Sequence, residues 1–172
     1  MSSTKKLTMS AMIVAIGIIL PIFIRMIPNG GVLFSPMHIA PLLAGLVVGP
    51  IYGIIVGVLC PILNSIISGM PQGLTLIAMC FELPTYGLVS GLLMSLLKNK
   101  NSKVQVYSSL IGAMLIGRIV GGIVQAILLG TQNYSLSIWA TSYFLATAPA
   151  IVVHILLIPI VYFALKKASL AQ

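Results

Sequence analysis

The sequence predicts an all-α integral membrane protein: a compact bundle of six transmembrane helices forming one domain over residues 1–172. Hydrophobic residues make up 59% of the chain and charged residues only 6%. A soluble domain could not keep its surface hydrated with so few charges. In addition, the chain contains six apolar segments that approach the ~20 residues a helix needs to cross a bilayer core of ~30 Å.

The six predicted spans are joined by short connections. They cover residues 7–26, 36–48, 51–68, 74–97, 104–129 and 142–165. The second is short for a span, and the third contains Pro61. The first follows two lysines, as the apolar region of a signal peptide does. Because its apolar run is too long and no clean cleavage site follows, we interpret it as a retained first helix.

The lysines predict how the bundle is oriented. The net charge is +8, and lysines cluster before the first span, between the fourth and fifth, and after the sixth: Lys5, Lys6, Lys98, Lys100, Lys103, Lys166 and Lys167. With six spans all three clusters lie on one side, which the positive-inside rule makes cytoplasmic. Both termini are therefore expected in the cytoplasm. This placement explains the basicity better than nucleic-acid binding does.

The connections on the predicted outer side are uncharged and rich in turn-forming and polar residues. Their sequences are IPNGGVLFSP, SGMPQG and GTQNYSLSIWAT. In the first, Ser35 followed by Pro36 is typical of a helix N-cap. Five prolines within the spans are expected to kink the helices, which favours a bundle with a cavity, although packing alone is an alternative. They are Pro21, Pro61, Pro84, Pro149 and Pro159.

The few ionisable side chains within the spans are candidate ligand-binding residues. Such groups cost at least a few kcal/mol in lipid, so they normally face the protein interior. Glu82 is the only acidic residue of the chain. A helical rise of ~1.5 Å per residue places it ~12 Å below the outer start of its span, and Arg118 ~16 Å below the outer end of the next. These depths predict a structural ion pair, the floor of a substrate cavity, or both.

Further polar residues accompany this pair. Tyr86 lies one turn from Glu82, and Gln125 shares a helix face with Arg118. Gly121 and Gly122 between them leave room for a ligand or for close helix packing. His38 lies in the first turn of the second span, where it would face a ligand that enters from outside. Asn64 and His154 lie deeper within their spans.

The motifs of several protein classes are missing from the sequence. It contains no nucleotide-binding P-loop, no HExxH and no GxSxG. A single acidic residue excludes catalysis by paired carboxylates. Cys60 and Cys80 lack metal-site spacing and are interpreted as small packing residues. We therefore expect neither an enzyme, a metal site nor a cofactor. A proton-coupled carrier using Glu82, and a purely structural membrane protein, remain alternatives.

Four stretches carry a resemblance to a known family. They are FSPMHIAPLLAGLVVGPIYGIIVG (residues 34–57), GMPQGLTLIAMCFELPTYGLVSGLL (69–93), GRIVGGIV (117–124) and the pattern AMIVA, with Ala11 and Ala15 at its ends. Through them, and over essentially its whole length, the chain resembles the substrate-specific S components of energy-coupling factor (ECF) vitamin transporters.

This resemblance implies a high-affinity binding subunit that captures a water-soluble vitamin or precursor from outside. A transmembrane coupling subunit, the T component, and two ATP-binding cassette ATPases would power its delivery, in keeping with the missing P-loop. The S component would topple in the membrane to release its ligand. Ala11 and Ala15 match the motif through which such proteins dock onto the coupling subunit.

The resemblance also assigns parts of the binding site. Residues 29–35, 70–73 and 132–139 would form a lid. Pocket residues would be Glu82, Tyr86, Arg118 and Gln125, with His38 at the rim. Trp139 would stack on a flat ligand ring or anchor the chain at the membrane interface.

The substrate is expected to be small, because the last two spans lack the dense aromatic cluster that suits folate or riboflavin. A hydroxymethylpyrimidine or pyridoxine would use Glu82 as acceptor and tolerate an Arg118 neutralised by it. Pantothenate, the alternative, would need Arg118 free for its carboxylate. The first of these is the preferred expectation.

Overall fold

The computed structural model describes residues 2–130, 134–168 and 170, and this part of the chain is helical without strands. The elements are α1 (Ser3–Ile24), α2 (Gly30–Phe34), a 3₁₀ turn (Pro36–His38), α3 (Ile39–Val48), α4 (Pro50–Ser68), α5 (Gly73–Leu96), α6 (Ser102–Leu129), α7 (Leu136–Ala140), a π-helical turn (Thr141–Leu145) and α8 (Ala148–Lys167). Six helical segments are long and apolar enough to cross a membrane. The predicted all-helical membrane fold is thus confirmed.

The second span begins earlier than the sequence predicts. Its apolar segment runs over Gly30–Val48, so most of the predicted connection at residues 29–35 is helical. Ser35 interrupts the helix because its backbone is left-handed, with φ at 40°. Its hydroxyl donates to the carbonyl of Val32 at 3.1 Å and caps no helix, although Pro36 does open the following turn.

The sixth span is broken where the sequence predicts continuity. Helix α7 runs into the π-helical turn, and α8 begins only at Ala148. Pro149 lies in the first turn of α8, where no backbone amide is needed, so it starts a helix and does not kink one. The other four prolines lie inside helices, as predicted: Pro21, Pro61, Pro84 and Pro159.

An even number of crossings brings all three lysine clusters to one end of the bundle, which we call the lysine end. Lys166 Nζ donates to Ser102 Oγ across this end at 2.9 Å, joining the end of α8 to the start of α6. The start of α6 and the end of α8 therefore lie together. The opposite end is formed by the end of α1, α2, the start of α5, the end of α6 and the broken helix before α8.

Helix α3 is the centre of the bundle. Each of its residues from Ile39 to Val48 is buried, and it packs against α1, α4, α5, α6 and α8. The other spans expose many large apolar side chains on their outer faces, as helices in contact with lipid do. This central position explains why the second predicted span is short and uniformly apolar.

Glycines let α4 and α5 cross with their backbones in contact. A Cβ added at Gly87 would lie 2.2 Å from backbone atoms of Gly53. One turn either side, Gly57 faces the backbone of Leu83 and Pro84, and Gly91 faces Pro50. Small residues at such spacing allow helices to approach closely in membranes. This crossing fixes the position of α5, which carries Glu82 and Tyr86, against the core.

The crossing predicts that Gly87→Ala destabilises the protein by about 1–3 kcal/mol, because the added methyl must push two backbones apart. The free energy of unfolding can be measured by denaturing-detergent titration in mixed micelles. Gly112→Ala is the matched control, since its methyl would meet only the flexible end of the Leu93 side chain. Equal stability of Gly87→Ala and the native chain would contradict the backbone contact.

Candidate substrate-binding site

A cavity of about 750 Å³ opens at the end of the bundle opposite the lysines. This volume lies within the ~300–1,000 Å³ typical of small-molecule sites. Its walls are mostly apolar, and its polar lining side chains come from the ends of α1, α5 and α6, the α2 region and the broken last span: Arg25, Asn29, Ser35, His38, Thr75, Glu82, Arg118, Gln125, Tyr134, Ser142, Tyr143 and Thr147. Four of the predicted pocket residues thus line one cavity.

Glu82 lies at the floor of this cavity and contacts two aromatic side chains. It is 4% exposed. The Tyr86 hydroxyl donates to Glu82 Oε1 at 2.6 Å, and His38 Nε2 lies 3.5 Å from the same oxygen. Gly121 of α6 packs so closely that a Cβ there would lie 2.9 Å from the carboxylate. Because both contacts use Oε1, Oε2 keeps acceptor capacity for a ligand donor.

Arg118 does not form the expected ion pair with Glu82. In the described part of the chain no guanidinium nitrogen lies within 4.0 Å of that carboxylate, whose nearest ring nitrogen is His38 Nε2 at 3.5 Å. Arg118 Nη1 instead donates to the Tyr143 carbonyl oxygen and, at 2.9 Å, to Thr147 Oγ1. The break between the π-helical turn and α8 brings these neutral oxygens within reach, and the sequence pattern does not predict that break.

His154 supports the site from behind and does not line the cavity. It is 1% exposed. Its ring stacks on that of His38 at 6.2 Å between centroids, and the His38 ring also contacts Tyr86 at 5.3 Å. His38 Nδ1 and His154 Nε2 are buried without hydrogen-bond partners among the described residues. Tyr86 likewise lies beneath the cavity and reaches it only through Glu82.

Asn64 is a structural residue that does not line the cavity. It is fully buried, and its Nδ2 donates to the carbonyl oxygens of Gly17 and Cys60, both at 2.9 Å. Pro21 has no amide hydrogen, so the Gly17 carbonyl lacks its usual helical donor. Asn64 supplies that donor from α4 and ties α1 to the core. The ligand-binding role predicted for Asn64 therefore finds no support in its position.

Trp139 fastens the last span to α6 and does not line the main cavity. Its Nε1 donates to the Arg118 carbonyl oxygen at 3.1 Å, and its ring packs edge-on against Phe144 at 5.2 Å between centroids. The ring fills the space left by Gly122, where a Cβ would lie 2.2 Å from Nε1. Stacking of Trp139 on a ligand in this cavity would require the segment to move.

The predicted lid segments border the cavity to different extents. Asn29 and Ser35 of the first, and Met70 and Pro71 of the second, line it. Within the third, Gln132 and Asn133 lie outside the described residues, while Ile138 lines the cavity. The segment 29–35 is a wall made mostly of α2, whereas the resemblance implies a lid loop there.

The cavity is also lined by hydroxyl-bearing residues outside the predicted pocket set, of which Tyr134 lies in a predicted lid segment: Thr75, Tyr134, Ser142, Tyr143 and Thr147. The last two are four residues apart, which places them on one helix face, but they were counted as part of a lipid-crossing helix. Tyr134 precedes α7, and its buried hydroxyl has no partner among the described residues. Burial, with a smaller contribution from the negative charge of Glu82, raises the pKa of Tyr134, so the phenol remains a hydrogen-bond donor.

The two alanines of the predicted docking motif lie on the outer surface of α1. Ala11 and Ala15 are exposed, whereas Ile13 and Gly17 face the core. A partner helix can therefore reach them. Their docking role remains a prediction.

Comparison with known proteins gives one match. The family model described as the ECF transporter, substrate-specific component, covers residues 5–171. No curated protein and no solved structure matches the chain.

The hydrogen bond between Tyr86 and Glu82 predicts that Tyr86→Phe destabilises the protein by about 1–3 kcal/mol, because the buried carboxylate loses its closest donor. The same detergent titration measures the change. Tyr107→Phe is the matched control, since Tyr107 is 37% exposed on α6 near the lysine end, and about 0.5 kcal/mol or less is expected there. Equal effects of the two substitutions would show that the 2.6 Å hydrogen bond contributes nothing specific.

Proposed function

The chain belongs to the family of ECF transporter substrate-specific components, since the family model covers nearly all of it, and on this premise we propose that it captures a small water-soluble vitamin or vitamin precursor. As a member of this family it is a substrate-binding subunit of an importer and resides in the membrane with six apolar helices. The chain holds the ligand and performs no reaction on it.

The cavity is the observation that carries this proposal. It combines a volume suited to a small molecule with a mainly apolar lining and a few buried polar groups at its floor. Glu82 and Arg118, each 4% exposed, offer an acceptor and a donor to a polar ligand. Buried charged groups of this kind within a membrane domain normally mark a substrate site.

We assign the lysine end to the cytoplasm, which makes the cavity open to the outside. The positive-inside rule supports this orientation, because every lysine of the chain lies at that end. A ligand would then enter between α2 and the segment before α8. Release on the other side requires the T component and the two ATPases, because the chain has no P-loop of its own.

Two ligand classes fit the size of the cavity: a hydroxymethylpyrimidine- or pyridoxine-like heterocycle, and pantothenate. The heterocycle was preferred on the assumption that Glu82 neutralises Arg118. That assumption fails, because Glu82 contacts Tyr86 and His38 instead. The geometry therefore no longer favours the heterocycle over a carboxylate-bearing ligand.

This function predicts vitamin uptake that depends on ATP and on docking through α1. Cells or proteoliposomes containing the chain, a T component and both ATPases should accumulate labelled ligand. Replacing Ala11 and Ala15 together with leucine should abolish assembly and uptake, while ligand-induced thermal stabilisation of the purified chain persists. Ala164→Leu is the matched control, since Ala164 is an exposed alanine on α8, and it should assemble normally.

Two outcomes would count against this function. Unimpaired assembly of the Ala11 and Ala15 variant would remove the docking role of α1. Uptake that continues without ATPases, stops when the proton gradient is dissipated and is lost in Glu82→Gln would instead identify a proton-coupled carrier.

A further inference from the structure

The charged side chains that line the cavity do not balance. They are Arg25, Glu82 and Arg118, two cations and one anion. Because Glu82 is the only acidic residue of the chain, no other side chain can compensate. With histidines counted as neutral, the lining carries one net positive charge. An uncompensated charge is costly in the low dielectric of a membrane domain.

Neither arginine is neutralised directly. Arg25, half-buried at the rim, donates to the carbonyl oxygens of Ser68 and Met70, both at 3.4 Å. Arg118 lies deeper and is 4% exposed. Its hydrogen bonds go to the Tyr143 carbonyl and the Thr147 hydroxyl, which are neutral acceptors. Both arginine side chains thus donate to neutral oxygen atoms. Among the described residues, no carboxylate oxygen lies within 4.0 Å of the deeper one, Arg118.

The hydrogen bonds of Arg118 leave one edge of its guanidinium group without acceptors. A guanidinium has five N–H donors. Both bonds within the described chain use Nη1, and Nε is buried without a partner. The Nε and Nη2 donors form an edge that matches the two oxygens of a carboxylate and binds them as a bidentate pair.

Neighbouring residues hold the orientation of this edge. Thr147 Oγ1 accepts from Arg118 Nη1 and donates to the Tyr143 carbonyl oxygen at 2.6 Å, closing a small network on one side of the guanidinium. The Phe144 ring lies 5.5 Å from Arg118 Cζ, within cation–π distance. Tyr143 and Thr147 are therefore positioning residues that fix the Nη1 side, and they leave Nη2 and the buried Nε without an acceptor among the described residues.

We propose that the ligand of this cavity carries an anionic group of the carboxylate type, bound by Arg118, whose Nη2 and buried Nε donors lack acceptors among the described residues, and a separate hydrogen-bond donor that meets Glu82. One negative charge on the ligand would neutralise the lining. This inference rests on the proposed function, because it names the chemical class of substrate for the same site. It favours a pantothenate-like acid over an uncharged heterocycle.

Matched ligand pairs that differ only at the acidic group test the proposal. Equilibrium binding and thermal unfolding of the purified full chain are measured with pantothenate and its alcohol pantothenol, and with nicotinate and nicotinamide. Pyridoxine serves as an uncharged heterocycle, and inorganic phosphate as an anion without an organic scaffold. The acid of at least one pair should bind about 10- to 100-fold more tightly than its neutral partner, the range of charge-assisted hydrogen bonds. Phosphate alone should not bind comparably.

Substitutions at Arg118 should remove this discrimination. Arg118→Gln is expected to bring the acid and its neutral partner to within a fewfold of each other. Arg118→Lys keeps the charge but loses the planar fork, so it should retain only part of the discrimination. Lys103→Gln removes one positive charge at the lysine end and should leave both affinities unchanged. Size-exclusion profiles and the helical circular dichroism signal show whether each variant folds. If Arg118→Gln does not fold, the discrimination is measured with Arg118→Lys instead.

The outcomes separate this inference from the proposed function. If a neutral compound binds the native chain as tightly as its acid, or if the Arg118 variants discriminate as the native chain does, the inference is wrong while the binding function stands. If Lys103→Gln loses as much discrimination between acid and neutral partner as the Arg118 variants do, general charge attraction explains the preference, and the inference is overturned. If phosphate binds as tightly as the acid, the carboxylate part of the inference is wrong, and the site is a phosphate site instead. Absence of binding by every compound would overturn both proposals.

Discussion

Glu82 carries the only side-chain carboxylate of this chain. Which polar side chains it contacts determines how the other polar groups of the cavity are arranged. Glu82 Oε1 accepts from Tyr86 and lies beside His38, and both contacts hold it against the core. Arg118, on the neighbouring helix, is therefore left to neutral oxygens at the break before α8. The result is a buried acceptor and a buried cation that face the same cavity without neutralising each other. A polar ligand can use both.

The backbone makes this separation possible at one end of the molecule. Near the lysine end, α3 is completely buried, and the glycine crossing of α4 and α5 brings backbones into contact. Toward the other end the helices are interrupted at Ser35 and before Ala148, which opens the bundle and exposes carbonyl and hydroxyl oxygens to the cavity. Close packing and the polar cavity groups thus lie at opposite ends of the bundle. A closely packed body with an open, polar end suits a subunit that binds a small molecule.

Much of this organisation could be predicted from the sequence, because it depends on hydropathy and on residue type. Apolar length indicated the six spans, and the rarity of polar residues within them pointed to His38, Glu82, Arg118 and Gln125, which line the cavity. Depth along a helix gave similar heights for Glu82 and Arg118, but their pairing also depends on how the helices are rotated about their axes. Periodicity within one helix carries no information about that rotation. The break before α8 was missed for a related reason, since Pro149 in a first turn looks the same in sequence as Pro149 inside a helix.

A water-soluble anion is the proposed occupant of the cavity. Native mass spectrometry of the chain, purified in mild detergent without added ligand, tests it most directly, followed by identification of the released molecule. We expect one small molecule per chain, bearing a negative charge at neutral pH, and its absence from Arg118→Gln purified in the same way. An uncharged or cationic molecule at the same stoichiometry, or equal retention by the Arg118 variant, would contradict the account.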